Sequence, residues 1–280
     1  MSGREAVLFR AHRATPGTLA CFERLVREVE PARDVWVVGQ CEDGEALAPF
    51  RHPRCRAYST AALAGLGYPY RRNPISLYEL TGQADLPVLL FFREHPDYAR
   101  YWIVEYDVRY TGNWRWLLDD CGQSQADLLG TTVMRYAENP AWANWPSVDT
   151  APDDVPKSDW AKAFIPFGAA TPRLLAAIDA RCRRGWRGYF EALWGIAALH
   201  AGLAIEDIGG RGSFVPQGRE GRHYWNTPQD PHLRPGSFVF RPTVAPGQND
   251  QAWQGEDEAT RRWAQQQLKT AFRLVHPVKD

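Results

Sequence analysis

The feature that most constrains this chain is the stretch YWIVEYDVRY at residues 101–110, where four apolar or aromatic residues run directly into Glu105 and Asp107. An apolar run of this length, followed by the turn signal Thr111-Gly112-Asn113, predicts a buried strand. Two carboxylates at the end of a buried strand are costly unless a metal ion or a hydrogen-bond network meets them. Open α/β sheets bind ligands at the carboxyl ends of their strands. The stretch therefore predicts a metal and nucleotide site at one edge of a sheet.

The first sixty residues alternate between strand and helix patterns. Short apolar runs at residues 6–9 and 35–38 predict two strands, and a third is expected around residues 56–58. Between the first two strands, Thr15 and Pro16 form a helix start, and an apolar stripe follows at helical spacing. Strand, helix and strand at this spacing make a βαβ unit, which predicts a parallel sheet. A dinucleotide cofactor is disfavoured because Gly39-Gln40 does not begin a Gly-x-Gly-x-x-Gly fingerprint.

The rest of the chain continues the α/β pattern. Its sequence predicts further helices and strands, with helices beginning at residue 86, over 114–118, 171–184 and 187–201 and at the end over 257–273, and strands over 127–133, 163–167 and 203–210. Residues 60–85 are predicted as loop with short helical pieces, and 211–250 as mostly loop. The Pro-, Trp- and Asp-rich residues 137–160 are typical of an ordered loop over a site. No linker or repeat interrupts the chain, so a single domain is expected.

Charge and cysteine content exclude several classes of protein. The 280 residues carry 33 Lys plus Arg and 33 Asp plus Glu, and this balance argues against bulk nucleic-acid binding, which needs a basic surface. Five widely spaced cysteines without a C-x-x-C pair suit reduced thiols better than a disulfide framework. No signal-peptide core and no run of about 18 apolar residues is present. We therefore expect a cytoplasmic protein without a membrane span, compatible with peripheral association at a membrane surface.

The acidic motif also carries a family resemblance. Glu105-x-Asp107 after an apolar strand, in a chain that opens with a βαβ unit, resembles the Asp-x-Asp site of GT-A-fold glycosyltransferases, and the chain looks like a group of GT-A-like proteins from bacteria and fungi. Residues 101–114 carry the resemblance, with weaker matches at residues 185–191, 205–210 and 235–238. It implies one α/β, GT-A-like domain with a Rossmann-like, mostly parallel sheet flanked by helices. Residues 1–135 would form the nucleotide-sugar-binding half, and residues 136–280 the acceptor-binding half and C-terminal closure.

The resemblance implies an activity and a cofactor. A sugar would move from a nucleotide-sugar donor, with a UDP-sugar as the first expectation, to a hydroxyl of a saccharide, polysaccharide or lipid-linked acceptor. Mn²⁺ or Mg²⁺ stabilises the departing diphosphate in such reactions, and hard cations prefer carboxylate oxygens. The resemblance implies that Asp107 is the direct metal ligand and Glu105 the second contact. Glu105 stands where the family usually has the first Asp, and its side chain is longer. A histidine near the C-terminus is the expected third ligand, with His232 as first candidate and His276 as second.

Further candidates surround this site. Arg10 and His12 follow the first predicted strand, beside the expected nucleotide, and Asp85 could contact its base. Transfer by direct displacement needs a general base. Asp207, at a strand end before Gly209-Gly210, is the first candidate and Glu191 the second, and the presence of such bases favours inversion at the anomeric carbon.

Aromatic side chains suit the faces of sugar rings, and the chain has 12 Trp and 11 Tyr. Trp114, Trp142 and Trp186 are therefore candidates for stacking against the acceptor. Residues 223–225 belong to a loop predicted to close on the donor.

Each candidate also has a purely structural interpretation. Arg109 or backbone amides could satisfy the acidic pair, Asp207 could be a turn former, Glu191 a solvated helix position, and each Trp a core residue. Two other functions also compete. A sugar nucleotidyltransferase would share the sheet and the metal, but it usually needs a Gly-rich loop after the first strand, where residues 10–17 hold one Gly. A non-catalytic carbohydrate-binding or assembly protein on the same fold is the other alternative.

Overall fold

A seven-stranded sheet forms the centre of the structure, a computed structural model that describes residues 3–70, 83–224, 238–243 and 273–278. Within these residues a second sheet has three strands. The strands in chain order are β1 (Glu5–Arg10), β2 (Asp34–Gln40), β3 (Cys55–Tyr58), β4 (Arg100–Glu105), β5 (Arg109–Tyr110), β6 (Leu128–Arg135), β7 (Ala161–Ala170), β8 (Ile205–Asp207), β9 (Phe238–Thr243) and β10 (Leu274–Val278).

The strand order of the large sheet is β3-β2-β1-β4-β7-β6-β8. The strands β3, β2, β1 and β4 are parallel to one another, β7 is antiparallel to both β4 and β6, and β8 is parallel to β6. In the β1–β4 register Arg10 lies beside Glu105, so the ends of these two strands bring a cation and a carboxylate together. This topology confirms the predicted α/β class with a mostly parallel sheet, and it is consistent with a GT-A-like domain.

Helices flank the sheet, and they are α1 (Pro16–Val29), α2 (Thr60–Ala64), α3 (Leu86–Glu94), α4 (Trp114–Cys121), α5 (Pro172–Arg184) and α6 (Phe190–His200). The sequence positions their ends. Thr15 caps α1 in a capping box in which its hydroxyl accepts from the Thr18 amide at 3.2 Å. Thr171 caps α5, which ends at Gly185 with a φ of 117°, a conformation that glycine adopts readily.

The sheet has an apolar core on each face because alternate residues of its buried strands point to opposite sides. Ala6 and Leu8 of β1 belong to one core, and Val7 and Phe9 to the other. The first core is covered by α3, α5 and α6, and the second by α1 and α4. The ends of the central strands, where the polar residues lie, are therefore held on a rigid three-layer scaffold.

The small sheet returns the end of the chain to the acidic motif. β10 pairs antiparallel with β5, with Leu274 opposite Tyr110 and Val275 opposite Arg109, and it pairs parallel with β9. This register brings the next residue, His276, back alongside the turn that holds Asp107.

Most predicted elements of the large sheet and its helices are present at or near the expected positions. β9 and β10 were not predicted as strands. The helix predicted over residues 257–273 lies almost wholly outside the described residues. No helix in the described part of the chain combines the length and the apolar character needed to cross a bilayer.

Candidate functional site

Two carboxylates and one imidazole converge where β4 ends. Glu105 is the last residue of β4, Asp107 lies in the turn that follows, and His276 is on β10. The Nε2 atom of His276 is 3.7 Å from Oε2 of Glu105 and 3.5 Å from Oδ1 of Asp107. One donor atom from each of the three residues lies within 4.8 Å of the others. The three side chains form a compact group, the acidic-histidine cluster.

Burial makes this cluster electrostatically strong. Asp107 is 2% exposed and His276 is 7% exposed. Burial lowers the pKa of His276, but the two carboxylates raise it further, to about 9. In the metal-free protein the imidazolium therefore balances negative charge that would otherwise be isolated in a buried site.

The nearby arginine side chains, Arg10 and Arg109, do not occupy the carboxylate oxygens that face His276. Arg10 pairs with Oε1 of Glu105 at 3.2 Å, while the other oxygen of that carboxylate is the one near His276. The side chain of Glu105 remains 24% exposed. Arg109 donates to the backbone carbonyls of Tyr106 and Val108.

The donor set suits a divalent cation. Carboxylate oxygens and an imidazole nitrogen are ligands that Mn²⁺ accepts, and Mg²⁺ favours the carboxylates. Adjacent ligands on an octahedral ion with bonds of about 2.1 Å are about 3 Å apart, close to the separations between His276 and the carboxylates. Glu105, Asp107 and His276 could therefore hold such an ion after small adjustments, with His276 neutral. His232, the first-ranked histidine, lies outside the described residues.

A second group of ionisable side chains lies next to this cluster. Glu191 is in the first turn of α6 and is 5% exposed, and Lys162 of β7 is 6% exposed. Burial raises the pKa of Glu191 to about 8, with the charge of Lys162 opposing it and that of Glu105 adding to it. The charge of His276 also acts on Glu191, which places this carboxyl group beside the acidic-histidine cluster. A carboxyl group with a pKa near neutrality is suited to proton transfer.

Asp207, the first-ranked base, is held differently. Its oxygens accept hydrogen bonds from the amides of Val133, Gly209 and Gly210 at 2.7–2.9 Å and from the Tyr224 hydroxyl at 2.8 and 2.9 Å. Burial raises the pKa of Asp207, while these donors lower it. Four donors from three chain segments are typical of a carboxylate that organises the backbone, so the surroundings of Asp207 favour a structural role.

The other predicted nucleotide contacts lie in different environments. His12 is exposed just after β1 and packs edge-on against Tyr106, with ring centroids 4.8 Å apart. Asp85 is 1% exposed at the start of α3 and accepts a hydrogen bond from the Trp194 indole at 2.8 Å. Arg10 and His12 therefore flank the end of β4, whereas Asp85 is tied to α6.

The three predicted acceptor tryptophans separate into two kinds. Trp114 and Trp186 are each 1% exposed, Trp114 packing against Tyr110 and Trp186 donating its indole N–H to Asp153. Both are core residues without a face for an acceptor, which corrects the prediction. Trp142 is half-buried and lies beside the second group of ionisable residues, with Lys162 Nζ 5.2 Å from its ring centroid.

A second combination of metal-type side chains has a different character. Asp120, Cys121 and His223 also lie close together. Asp120 already accepts from Nε2 of His223 at 2.7 Å and forms ion pairs with Arg219 and Arg222. Burial raises the pKa of the Cys121 thiol, which keeps it protonated. Two guanidinium groups repel a cation, so this group serves instead to tie residues 219–223, in the segment after β8, to α4.

Two residues near the site were not predicted from sequence. Lys162 is a single charge in the otherwise uncharged strand β7, AKAFIPFGAA, and that contrast is a usable signal because a buried charge needs partners. Tyr189 precedes α6 and carries no such signal, since tyrosine is common in cores and at surfaces alike.

Comparison of the chain with protein-family models finds no match, and comparison with curated proteins finds none either. Among solved structures, it is similar to the crystal structure of mouse xyloside xylosyltransferase 1 in its apo form. The TM-score is 0.38 and the sequence identity 13%, over 75% of this chain and 87% of that chain.

Proposed function

We propose that this protein is a metal-dependent glycosyltransferase that uses a nucleotide-sugar donor. The observation that carries the proposal is the convergence of Glu105, Asp107 and His276 at the carboxyl end of β4, next to the parallel strands β1 and β2. Ligand sites in open α/β sheets lie at this edge. A diphosphate needs a cation there, because its negative charge would otherwise be repelled by the carboxylates.

The roles within the site follow from position and charge. Asp107 and His276 would be direct ligands of Mn²⁺ or Mg²⁺, and Glu105 a ligand or a contact to metal-bound water or ribose. The bound cation would supply charge stabilisation to the departing diphosphate. Arg10, at the end of β1, would hold Glu105 in place and add positive charge beside the phosphates.

Glu191 is the base that the surroundings favour. In a single displacement, the acceptor hydroxyl oxygen attacks the anomeric carbon, its proton passes to Glu191, and the bond from that carbon to the diphosphate oxygen breaks. The configuration at that carbon is inverted by such a step. Glu191 fits this role better than Asp207, because both oxygens of Asp207 are already occupied by donors of the fold.

Titration with Mn²⁺ and UDP tests the proposal, with UDP as the probe for a UDP-sugar donor and the other nucleoside diphosphates screened by thermal shift. We expect at least one nucleoside diphosphate to bind in a Mn²⁺-dependent way, and Asp107→Asn to weaken that binding by about tenfold or more. The exposed Asp97→Asn, in the loop before β4, is the matched control and should bind normally. Nucleotide binding that is indifferent to Mn²⁺ or to Asp107→Asn would contradict the proposal.

A further inference from the structure

Next to the acidic-histidine cluster lies a group of side chains that has more hydrogen-bonding capacity than the fold uses. It consists of Trp142, Lys162, Tyr189 and Glu191, here called the aromatic-lysine group. These residues come from the loop between β6 and β7, from β7 itself, and from the start of α6. Chain segments distant in sequence therefore place an aromatic face, an ammonium, a phenol and a carboxyl group together.

Lys162 is the clearest member of this group. An ammonium group has three N–H donors. Among the described residues, that of Lys162 makes one hydrogen bond, to the Thr132 carbonyl at a long 3.4 Å, although the residue is only 6% exposed. Its other described neighbours are the ring of Trp142 and the carboxyl groups of Glu191 and Asp207, whose charges act on the ammonium. Within the described residues, neither carboxyl group accepts a hydrogen bond from it. A buried ammonium with unused donors is costly unless a further partner meets it.

The backbone that meets Lys162 is unusual. Thr132 has a φ of 48°, in the left-handed region that β-branched residues rarely adopt. Its amide donates to the Tyr224 hydroxyl at 2.6 Å, which in turn donates to Asp207. The bend in β6 is thus held by a hydrogen-bonded chain, and its carbonyl is fixed beside the ammonium. Strained positions of this kind cluster at functional sites.

Tyr189 and Trp142 provide the apolar and neutral parts of the group. Their rings are in edge-to-face contact with centroids 5.7 Å apart, and both are half-buried. The Tyr189 hydroxyl has no hydrogen-bond partner in the described part of the chain. The charges of Glu191, Glu105 and Arg10 act on it, so the phenol lies near both Glu191 and the acidic-histidine cluster.

We propose that the aromatic-lysine group is a saccharide subsite, in which Trp142 packs against a pyranose ring and Lys162 and Tyr189 donate to its hydroxyl oxygens. An aromatic face beside several fixed donors and acceptors is the chemistry that binds a neutral sugar, which presents apolar C–H groups and hydroxyls together. The inference rests on the proposed glycosyltransferase function, because it assigns the sugar to the side of Glu191 where the acceptor hydroxyl must lie. It also makes Lys162 and Tyr189 specificity-determining residues.

The subsite is tested by measuring how a panel of methyl pyranosides (glucose, galactose, mannose and xylose) binds to the full chain. Saturation-transfer NMR and calorimetry detect this binding. We expect at least one of the pyranosides to bind the wild type. Lys162→Met should weaken it by about tenfold and Tyr189→Phe by about threefold or more, as expected for a lost charged and a lost neutral hydrogen bond. Lys157→Met is the matched control, since Lys157 also lies over aromatic rings of the same loop but is exposed.

The outcomes separate this inference from the proposed function. Mn²⁺-dependent nucleotide binding that survives in both variants, with saccharide binding weakened by these factors, supports the subsite. Saccharide binding that is unchanged in Tyr189→Phe, which removes a single oxygen and keeps the ring packing, overturns it, as does a wild type that binds none of the methyl pyranosides. Nucleotide binding by the Asp107→Asn variant tests the metal site alone. Its outcome is therefore independent of the saccharide-binding measurements on the Lys162 and Tyr189 variants.

Discussion

The affinity of the acidic-histidine cluster for Mn²⁺ should depend steeply on pH, because the metal and a proton compete for His276. The two carboxylates raise the pKa of His276 to about 9 against burial, which lowers it. A metal-bound imidazole must be neutral, so the ion has to displace this proton. In the folded, metal-free protein His276 thus keeps its proton at neutral pH. A histidine with an ordinary pKa would release that proton in the same range.

The size of the effect follows from that pKa. Between pH 6.5 and pH 8.5 the neutral fraction of His276 should rise about 80-fold, and the Mn²⁺ affinity with it, which corresponds to about 2.6 kcal/mol. A histidine with a pKa of about 6.5 would change by only about twofold over the same range. The same pKa shift predicts that the stability of the metal-free protein falls with rising pH, whereas its Mn²⁺ affinity rises. The raised pKa stabilises the metal-free protein below about pH 6.5, and this contribution is lost as the pH rises through about 9.

Calorimetry with Mn²⁺ in buffers of different ionisation enthalpy measures both the affinity and the number of protons released, which should be close to one near neutral pH. His276→Asn should bind Mn²⁺ weakly at every pH and release no proton. The exposed His200→Asn is the matched control and should keep the wild-type slope. Glu191, whose pKa is raised to about 8, gains charge over the same range, so Glu191→Gln is needed to show that the slope persists without it. A twofold change in affinity with no proton release would refute the assignment of His276 as a ligand.

Two further predictions concern the scaffold beneath the site. Tyr224→Phe removes the hydroxyl that joins Thr132 to Asp207. This change should lower the free energy of unfolding, measured by urea denaturation, by about 1–3 kcal/mol. A change within experimental error would show that this network is dispensable. Gly195→Ala places a Cβ 2.3 Å from the Ala161 carbonyl oxygen, where α6 crosses β7, so a loss of about 1–3 kcal/mol is expected, and an unchanged melting temperature would contradict the close packing of these elements.

Local signals explain what the sequence could predict. Thr15 and Pro16 begin α1 because a capping hydroxyl and a fixed φ act within a few residues of each other. Glu105 and Asp107 were correctly placed at the end of a buried strand, since the apolar run and the turn after it are contiguous. Their grouping with His276 depends instead on β10, a short strand whose pairing with β5 is invisible to any local pattern.

Side-chain environment was harder to predict than strand position. Trp114, Trp142 and Trp186 have the same chemistry, and only tertiary packing decides that the first and third lie in the core. Asp207 and Glu191 were ranked by the turn and helix around them, whereas their roles depend on which donors surround each carboxyl group. The predicted strand began at residue 163, one residue after Lys162, and the partners of its charge come from β6, β8, α6 and the loop before β7.

If the acidic-histidine cluster holds a cation, the position of His276 would link metal binding to the pairing of β10 with β5. Glu105 and Asp107 are adjacent to a rigid central strand, but His276 reaches them only when β10 pairs with β5. A cation that binds all three side chains must therefore stabilise this pairing by the free energy of its interaction with His276. Because linkage is reciprocal, the pairing must in turn raise the affinity for the cation. Leu274 and Arg273 join β10 to residues 219–223, through the His223 carbonyl and the Arg222 carbonyl. Occupancy of such a metal site would therefore be coupled to residues 219–223, which Asp120 ties to α4.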